Sequence, residues 1–366
     1  MSKYIADNIR DFNLDHIFDC GQCFRWEKQE DGSYTGIAFG KVVNMRFLSG
    51  QQTGGIAGSG HGNSFDLQPL NVSESSGLAR PSGASEPSGL ARPSGASQSL
   101  GHAQPSGLAR PSGASEPSGL AQPSGLAQPS GLAQPSGLAQ SSGRLVIDGC
   151  TQAEFEQIWK PYLDLDRDYG KIKGVLAAQD QVMERAVSYG SGIRILKQDL
   201  WETIVSFIIS QNNNIPRIKG CIENLSRMFG QPAGEYAGRA YYSVPGPQKM
   251  ASLTAEELAP VRLGYRSRYL IETAKMICER GLPEDGQQLS ALCGVGPKVA
   301  NCILLFSMGK YESFPIDVWM ARVMNQLYGI EEKDHKAMMN YASEHFGRLG
   351  GFAQQYLFYY IRGNNK

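Results

Sequence analysis

Lys298 and Asp317 stand nineteen residues apart, the second closing the run L-C-G-V-G-P-K-V-A-N-C-I-L-L-F-S-M-G-K-Y-E-S-F-P-I-D from Leu292 to Asp317. An amine at the mouth of an apolar helix is a nucleophile for an electrophilic carbon. A fixed carboxylate beside it can stabilise developing positive charge or carry protons. Lys298 falls in the first turn of its helix, where the positive dipole end and partial burial both favour the free amine. The plainer alternative is a lysine snorkelling to the surface, which the apolar neighbours Val299, Ala300, Cys302 and Ile303 weaken. Asp317 also suits a helix N-cap, and that role is compatible with chemistry.

Just upstream, Gly294-Val295-Gly296 reads as a turn between two helices. Glycines allow positive φ and close approach of a ligand to the backbone. Amides exposed at the start of the second helix make an anion site, and such a hairpin can grip one DNA phosphate without reading sequence. An ordinary tight turn between helices has the same appearance.

These residues need a scaffold. Leu289–Cys293 reads as the end of a short helix stopping at Gly294, and Pro297 suits the first position of the next helix, which runs to about Ser307 and is apolar almost all round. Asp199 with Glu202 three residues later opens another helix, followed by Trp201, Ile204, Val205, Ile208 and Ile209 at helical spacing. Phe346–Arg362 suggests a final aromatic-rich helix interrupted near Gly350-Gly351. Towards the N-terminus, Cys23–Trp26, Ser33–Phe39 and Lys41–Leu48 read as strands, and Arg144–Asp148 as the next one.

Between those strands, residues 76–141 form eleven six-residue units, variants of S-G-L-A-Q-P and S-G-A-S-E-P. Regular proline with Gly and Ser leaves little to offset ordering entropy, so disorder is expected there. The expected fold is α+β. A small antiparallel β domain (1–50 and 144–190), split by the 51–143 repeat insertion, packs on a mainly helical domain (191–366). The insertion enters the sheet and not the hairpin domain, so folding and activity should survive it.

Composition excludes little. Of 366 residues, Lys+Arg and Asp+Glu number 35 each, so no global basic field advertises nucleic acid. DNA would have to be held by backbone amides and a few placed cations. The seven cysteines include one C-x-x-C, Cys20 and Cys23, with no second pair at zinc spacing, and reduced cytosolic thiols are expected. No secretory signal or 18-residue apolar run is visible, which suits a bacterial or archaeal cytosol, close to the nucleoid, and no membrane association.

The set L-x-G-V-G-x-K-x-A-x-C followed by P-I-D resembles the helix-hairpin-helix DNA glycosylase superfamily, and within it the 8-oxoguanine DNA glycosylases. C-G-Q-C-F-R-W at 20–26, S-Q-N-N-N-I-P-R at 210–217, L-G-Y-R-S-R-Y at 263–269 and G-F-A-Q-Q-Y-L-F at 351–358 support that branch. The resemblance implies a bifunctional glycosylase and abasic-site lyase acting on double-stranded DNA with an oxidised purine, as a monomer and without a cofactor or a metal needed for chemistry. Lys298 would attack the sugar C1′ and form a Schiff base, and Asp317 would stabilise positive charge. The target base must be flipped out of the duplex. Phe358 and Cys302 would sandwich it, Gln354 would bond its Watson–Crick edge, and the Gly21 carbonyl would accept the N7 proton that guanine lacks. Asn212, Arg217 and Arg266 would fill the emptied stack and read the orphaned cytosine, with Tyr265 as a wedge. Trp319 departs from the pattern, standing where some members carry histidine.

Two other readings compete. Pyrimidine-lesion glycosylases of the same fold carry the lysine but commonly a C-terminal four-cysteine cluster, whereas the last cysteine here is Cys302. A non-catalytic hairpin module that only binds DNA would need neither Lys298 nor Asp317.

Overall fold

Five antiparallel strands, β1 (Lys3–Arg10), β2 (Trp26–Lys28), β3 (Tyr34–Ala38), β4 (Lys41–Ser49) and β5 (Ser142–Asp148), form one sheet in the order β1-β5-β4-β3-β2. This is seen in a computed structural model, which describes residues 2–49 and 142–364. The repeat, and the disorder expected of it, lie outside the described residues.

Alternation sets the register. Val43 and Met45 of β4 and Leu145 and Ile147 of β5 are fully buried. They pack with Phe18, Trp26, Trp159 and Tyr162 in one apolar core. The Trp26 indole N–H donates to the Tyr162 hydroxyl at 2.7 Å, satisfying a polar group that burial would otherwise penalise. β4 and β5 are direct neighbours, with Ser49 opposite Gly143, so the chain leaves and re-enters the sheet at one hairpin position.

One expected strand differs, and β1 was not expected. Cys23–Trp26 is mostly a buried loop, and the strand begins at its last residue, Trp26. Its aromatic residues are apolar because the loop is covered on both sides, not because it pairs. β1 lacks a clean alternation because a bulge shifts its register between Ala6 and Ile9, with Asn8 at φ 60°.

From residue 151 onward the chain is mainly helical, with one small hairpin of β6 (Pro232–Tyr236) and β7 (Arg239–Tyr242). The helix Leu200–Ser210 is capped by Asp199, whose carboxylate accepts from the Glu202 amide at 2.8 Å. Trp201, Ile204, Val205, Ile208 and Ile209 are buried as their spacing requires. The helix Pro297–Phe306 buries six of its ten residues, among them Val299, Cys302 and Phe306. The aromatic-rich terminal helix is Gly350–Asn364; it begins at the glycine pair instead of being interrupted there. Gly351 has little room for a side chain, since a Cβ would meet Leu305 and lie 3.0 and 3.1 Å from the carbonyl oxygens of Tyr311 and Ser313. Among the described residues, no helix is long and apolar enough to cross a membrane.

Candidate active site

Four separated segments meet at one cavity: the loop at Cys20-Gly21, the helix Leu200–Ser210, the helix Pro297–Phe306 with the following Pro315–Asp317 turn, and the terminal helix. Its walls include Gly21, Lys298, Cys302, Asp317, Gln354 and Phe358, six residues expected from sequence. The cavity holds about 40 Å³.

Each wall is held by identifiable contacts. The Gln22 amide donates to the carbonyls of Ile17 and Arg194, both at 2.8 Å, and accepts from the Leu196 amide at 2.9 Å. From the other side, Arg362 near the end of the terminal helix donates to the Asp19 carbonyl at 2.7 Å. Gly21 is thus fixed between two elements, at φ +80°, a conformation that L-residues avoid.

Lys298 lies in the first turn of its helix, with Nζ 5.4 Å from the centre of the Phe207 ring. Its amine faces the Cys302 thiol one turn on and favours the thiolate. Burial nevertheless pushes that thiol up to about 11, with Lys298 opposing the shift. Cys302 is therefore a neutral, polarisable surface in the cavity and not a nucleophile. Cys20, also buried at the wall, is pushed up to about 12 by the same desolvation. Asp317 caps the helix Val318–Tyr328, accepting from the Met320 amide at 2.8 Å. The two readings of Asp317, cap and cavity carboxylate, hold together. Val318 and Trp319 beside it are exposed, and the Arg322 guanidinium lies 5.4 Å from the Trp319 ring. A rim of this kind presents an indole and a cation to whatever approaches Asp317.

The hairpin is built as expected, with a shift in its first helix, which runs Gly286–Ser290 and ends in a turn before Gly294. Gly294 sits at φ +78° and packs on Tyr269, where a Cβ would come within 2.6 Å of the ring. Gly296 has an ordinary backbone and open space around it. Its lack of a side chain leaves the first amides of the next helix approachable, which is what an anion needs. Val295 between them is buried.

A second group gathers at the helix Ile215–Phe229. Asn212 adopts φ +47°, Asn213 donates to the Ile209 carbonyl in the last turn of the preceding helix at 3.1 Å, and Asn214 caps this helix by accepting from the Arg217 amide at 3.0 Å, so the Asn run closes one helix and starts the next. Arg217 and Tyr265 are exposed. Arg266, expected to read the orphaned base, is placed differently. It is 4% exposed and donates to the carbonyls of Gln211, Asn212 at 2.9 Å and Leu263 at 3.1 Å. Its guanidinium holds the Asn212 loop in shape. Gln211 in turn donates to the Gly294 carbonyl at 2.9 Å, tying this loop to the hairpin.

The sequence reading missed several cavity walls: Cys20, Phe207, Phe306, Pro315 and Gln355. For Gln355 a signal existed, because two consecutive glutamines interrupt an otherwise apolar helical stretch.

Residues 4–204 match the family model for the 8-oxoguanine DNA glycosylase N-terminal domain, and residues 205–348 match that for HhH-GPD superfamily base excision DNA repair proteins. A solved structure of Clostridium acetobutylicum 8-oxoguanine glycosylase/lyase, in complex with double-stranded DNA containing cytosine opposite 8-oxoguanine, is similar with a TM-score of 0.69 and 32% identity, covering 100% of this chain and 99% of that one. A probable N-glycosylase/DNA lyase of Methanothermobacter thermautotrophicus is 29% identical over 213 residues, 50% of this chain and 68% of that protein. The N-glycosylase/DNA lyase of Saccharomyces cerevisiae is 36% identical over 166 residues, 39% of this chain and 44% of its own length, so the match spans under half of the yeast protein. With the N-terminal family model alone matching more than half of its length, the chain belongs to the 8-oxoguanine DNA glycosylase family.

Proposed function

We propose that the protein excises 8-oxoguanine from duplex DNA and then cuts the strand at the abasic site. One observation carries the reading: Lys298 and Asp317 line the same cavity as Gly21, Cys302, Gln354 and Phe358. A nucleophile, a charge-stabilising carboxylate and an aromatic wall in one cavity are the groups that base excision through a Schiff base needs.

In the proposed mechanism the Lys298 amine attacks C1′ of the flipped nucleotide. The C1′–N9 bond breaks, its electron pair leaves with the base, and N9 is protonated. Asp317 stabilises the positive charge that develops on the sugar. Loss of the amine proton and ring opening give the Schiff base. Removal of a C2′ proton then expels the 3′ phosphate by β-elimination, nicking the strand. The flipped base enters between Cys302 and the half-buried Phe358 ring. The Gly21 carbonyl accepts the N7 proton that 8-oxoguanine has and guanine lacks, so an undamaged base leaves a mismatched acceptor.

Outside the cavity, Asn212 and Tyr265 occupy the gap, and the exposed Arg217 donates to O2 and N3 of the orphaned cytosine. Arg266 acts through the loop it holds. The hairpin Gly294-Val295-Gly296 takes a backbone phosphate.

The test is to incubate the protein with a duplex carrying 8-oxoguanine opposite cytosine and to measure free base and nicked strand separately. The reading expects both. Free base without a nick would remove the lyase step. Inactivity here with cleavage at an oxidised pyrimidine would favour a pyrimidine-lesion enzyme, and binding without either product a hairpin module that only holds DNA.

A further inference from the structure

Gln355 is 3% exposed and lines the cavity beside Gln354. Its Nε2 donates to Gln354 Oε1 at 2.9 Å. Its own Oε1 is buried and has no hydrogen-bond partner. The flanking Phe352, Ala353 and Leu357 are buried and apolar, and the Tyr356 ring is buried beside them, so packing alone would favour a hydrocarbon at this position. A buried amide oxygen left unsatisfied costs stability, and such groups in native proteins call for a ligand or a functional explanation.

The donor and acceptor inventory of the pair suggests what would satisfy it. With its Oε1 already accepting from Gln355, the Gln354 amide keeps one lone pair and its N–H groups for a base. These match one acceptor and one donor, O6 and N1–H of a guanine-type edge. That edge carries one more donor, the 2-amino group, which Gln354 alone leaves unmet. Gln355 lines the same cavity, so its orphaned oxygen is the acceptor that a rotation of the side chain would turn toward the base.

We propose that Gln355 is a second base-reading residue: its Oε1 accepts from the 2-amino group of the flipped base, while its Nε2 fixes the orientation of the Gln354 amide. This rests on the cavity being the lesion pocket. It makes the enzyme selective for oxidised purines that bear a 2-amino group. A site built to bond a substrate N–H rejects the analogue lacking it, because the buried acceptor is then unpaired.

The experiment compares single-turnover excision of 8-oxoguanine and of 8-oxohypoxanthine, the same base without the 2-amino group, each opposite cytosine. Wild type should excise 8-oxoguanine at least about tenfold faster, the minimum expected for one buried hydrogen bond. Gln355→Leu, with its folding checked by thermal denaturation, should bring the two rates within about twofold, chiefly by slowing 8-oxoguanine. Equal rates in wild type would overturn the proposal without any variant. So would a Gln355→Leu enzyme that slows both substrates by the same factor, since that is the mark of packing alone. Release of neither base by wild type would instead overturn the lesion-pocket reading itself.

Discussion

A Cβ on Gly21 would lie 3.1 Å from Cε1 of Phe358, so the loop of the β domain and the terminal helix meet through the absence of a side chain. Gly21 is also at φ +80°, where an L-residue pays about 1–2 kcal/mol. Gly21→Ala should therefore lower the melting temperature by a few degrees and push the Phe358 ring into the cavity. Excision of 8-oxoguanine should fall by at least about tenfold, because small displacements of a reacting geometry are expensive. Melting and single-turnover assays check the two effects. Full activity would show that this contact does not shape the pocket.

Arg266 and Arg217 should separate stability from specificity. Arg266→Ala strips charged donors from three carbonyl groups, those of Gln211, Asn212 and Leu263, and should destabilise the fold by at least about 2 kcal/mol. Arg217 is exposed, and its side chain makes one longer bond of 3.3 Å to the Arg262 carbonyl. Arg217→Ala should leave the melting temperature nearly unchanged while flattening excision rates across cytosine, thymine, guanine and adenine opposite the lesion. A wild-type enzyme with equal rates opposite all four bases would remove Arg217 from this role.

Thiol chemistry should follow burial. Cys302 and Cys20 are buried with their thiols held at about 11 and about 12, so neither forms appreciable thiolate near neutral pH. Cys278 is exposed. At pH 8 an alkylating reagent should label Cys278 and spare Cys20 and Cys302, and reaction at Cys302 should rise only as pH nears its raised value. Peptide mapping by mass spectrometry reads this directly. Rapid loss of activity together with Cys302 labelling at pH 8 would contradict the neutral-thiol account.

The hairpin position of the insertion gives a stability prediction. Ser49 and Gly143 are cross-strand partners, so a two-residue turn such as Asn-Gly can take the place of residues 50–142. That replacement should leave turnover close to wild type and raise the melting temperature, since shortening the loop so far removes about 3 kcal/mol of closure entropy. A large loss of either would mean that the repeat contributes contacts to the folded enzyme.

The parts legible in the sequence were those coded locally. The Gly-Val-Gly turn, Pro297, Lys298 and the Asp317 cap each follow from their immediate neighbours. β1 was hidden because its bulge at Asp7-Asn8 breaks the two-residue alternation. β6 and β7 were hidden because their turn, Ala237 at φ 50° and Gly238 at φ 79°, uses alanine where asparagine would signal a tight hairpin. Phe207 and Gln355 reach the cavity only through the packing of separate helices, which no single segment records. Arg266 was legible as a residue type but not as a state. Nothing in L-G-Y-R-S-R-Y tells that one arginine will be buried against carbonyl groups of a loop more than fifty residues earlier.

The central claim is that Lys298 bonds to the sugar of the damaged nucleotide. Borohydride reduces a Schiff base to a stable amine, so the protein should be trapped covalently on a duplex with 8-oxoguanine opposite cytosine. The account predicts an adduct with wild type, mapped to Lys298, and none with Lys298→Gln, which should still bind the same duplex. An undiminished adduct with Lys298→Gln, or tight binding by wild type with no adduct under reducing conditions, would contradict it.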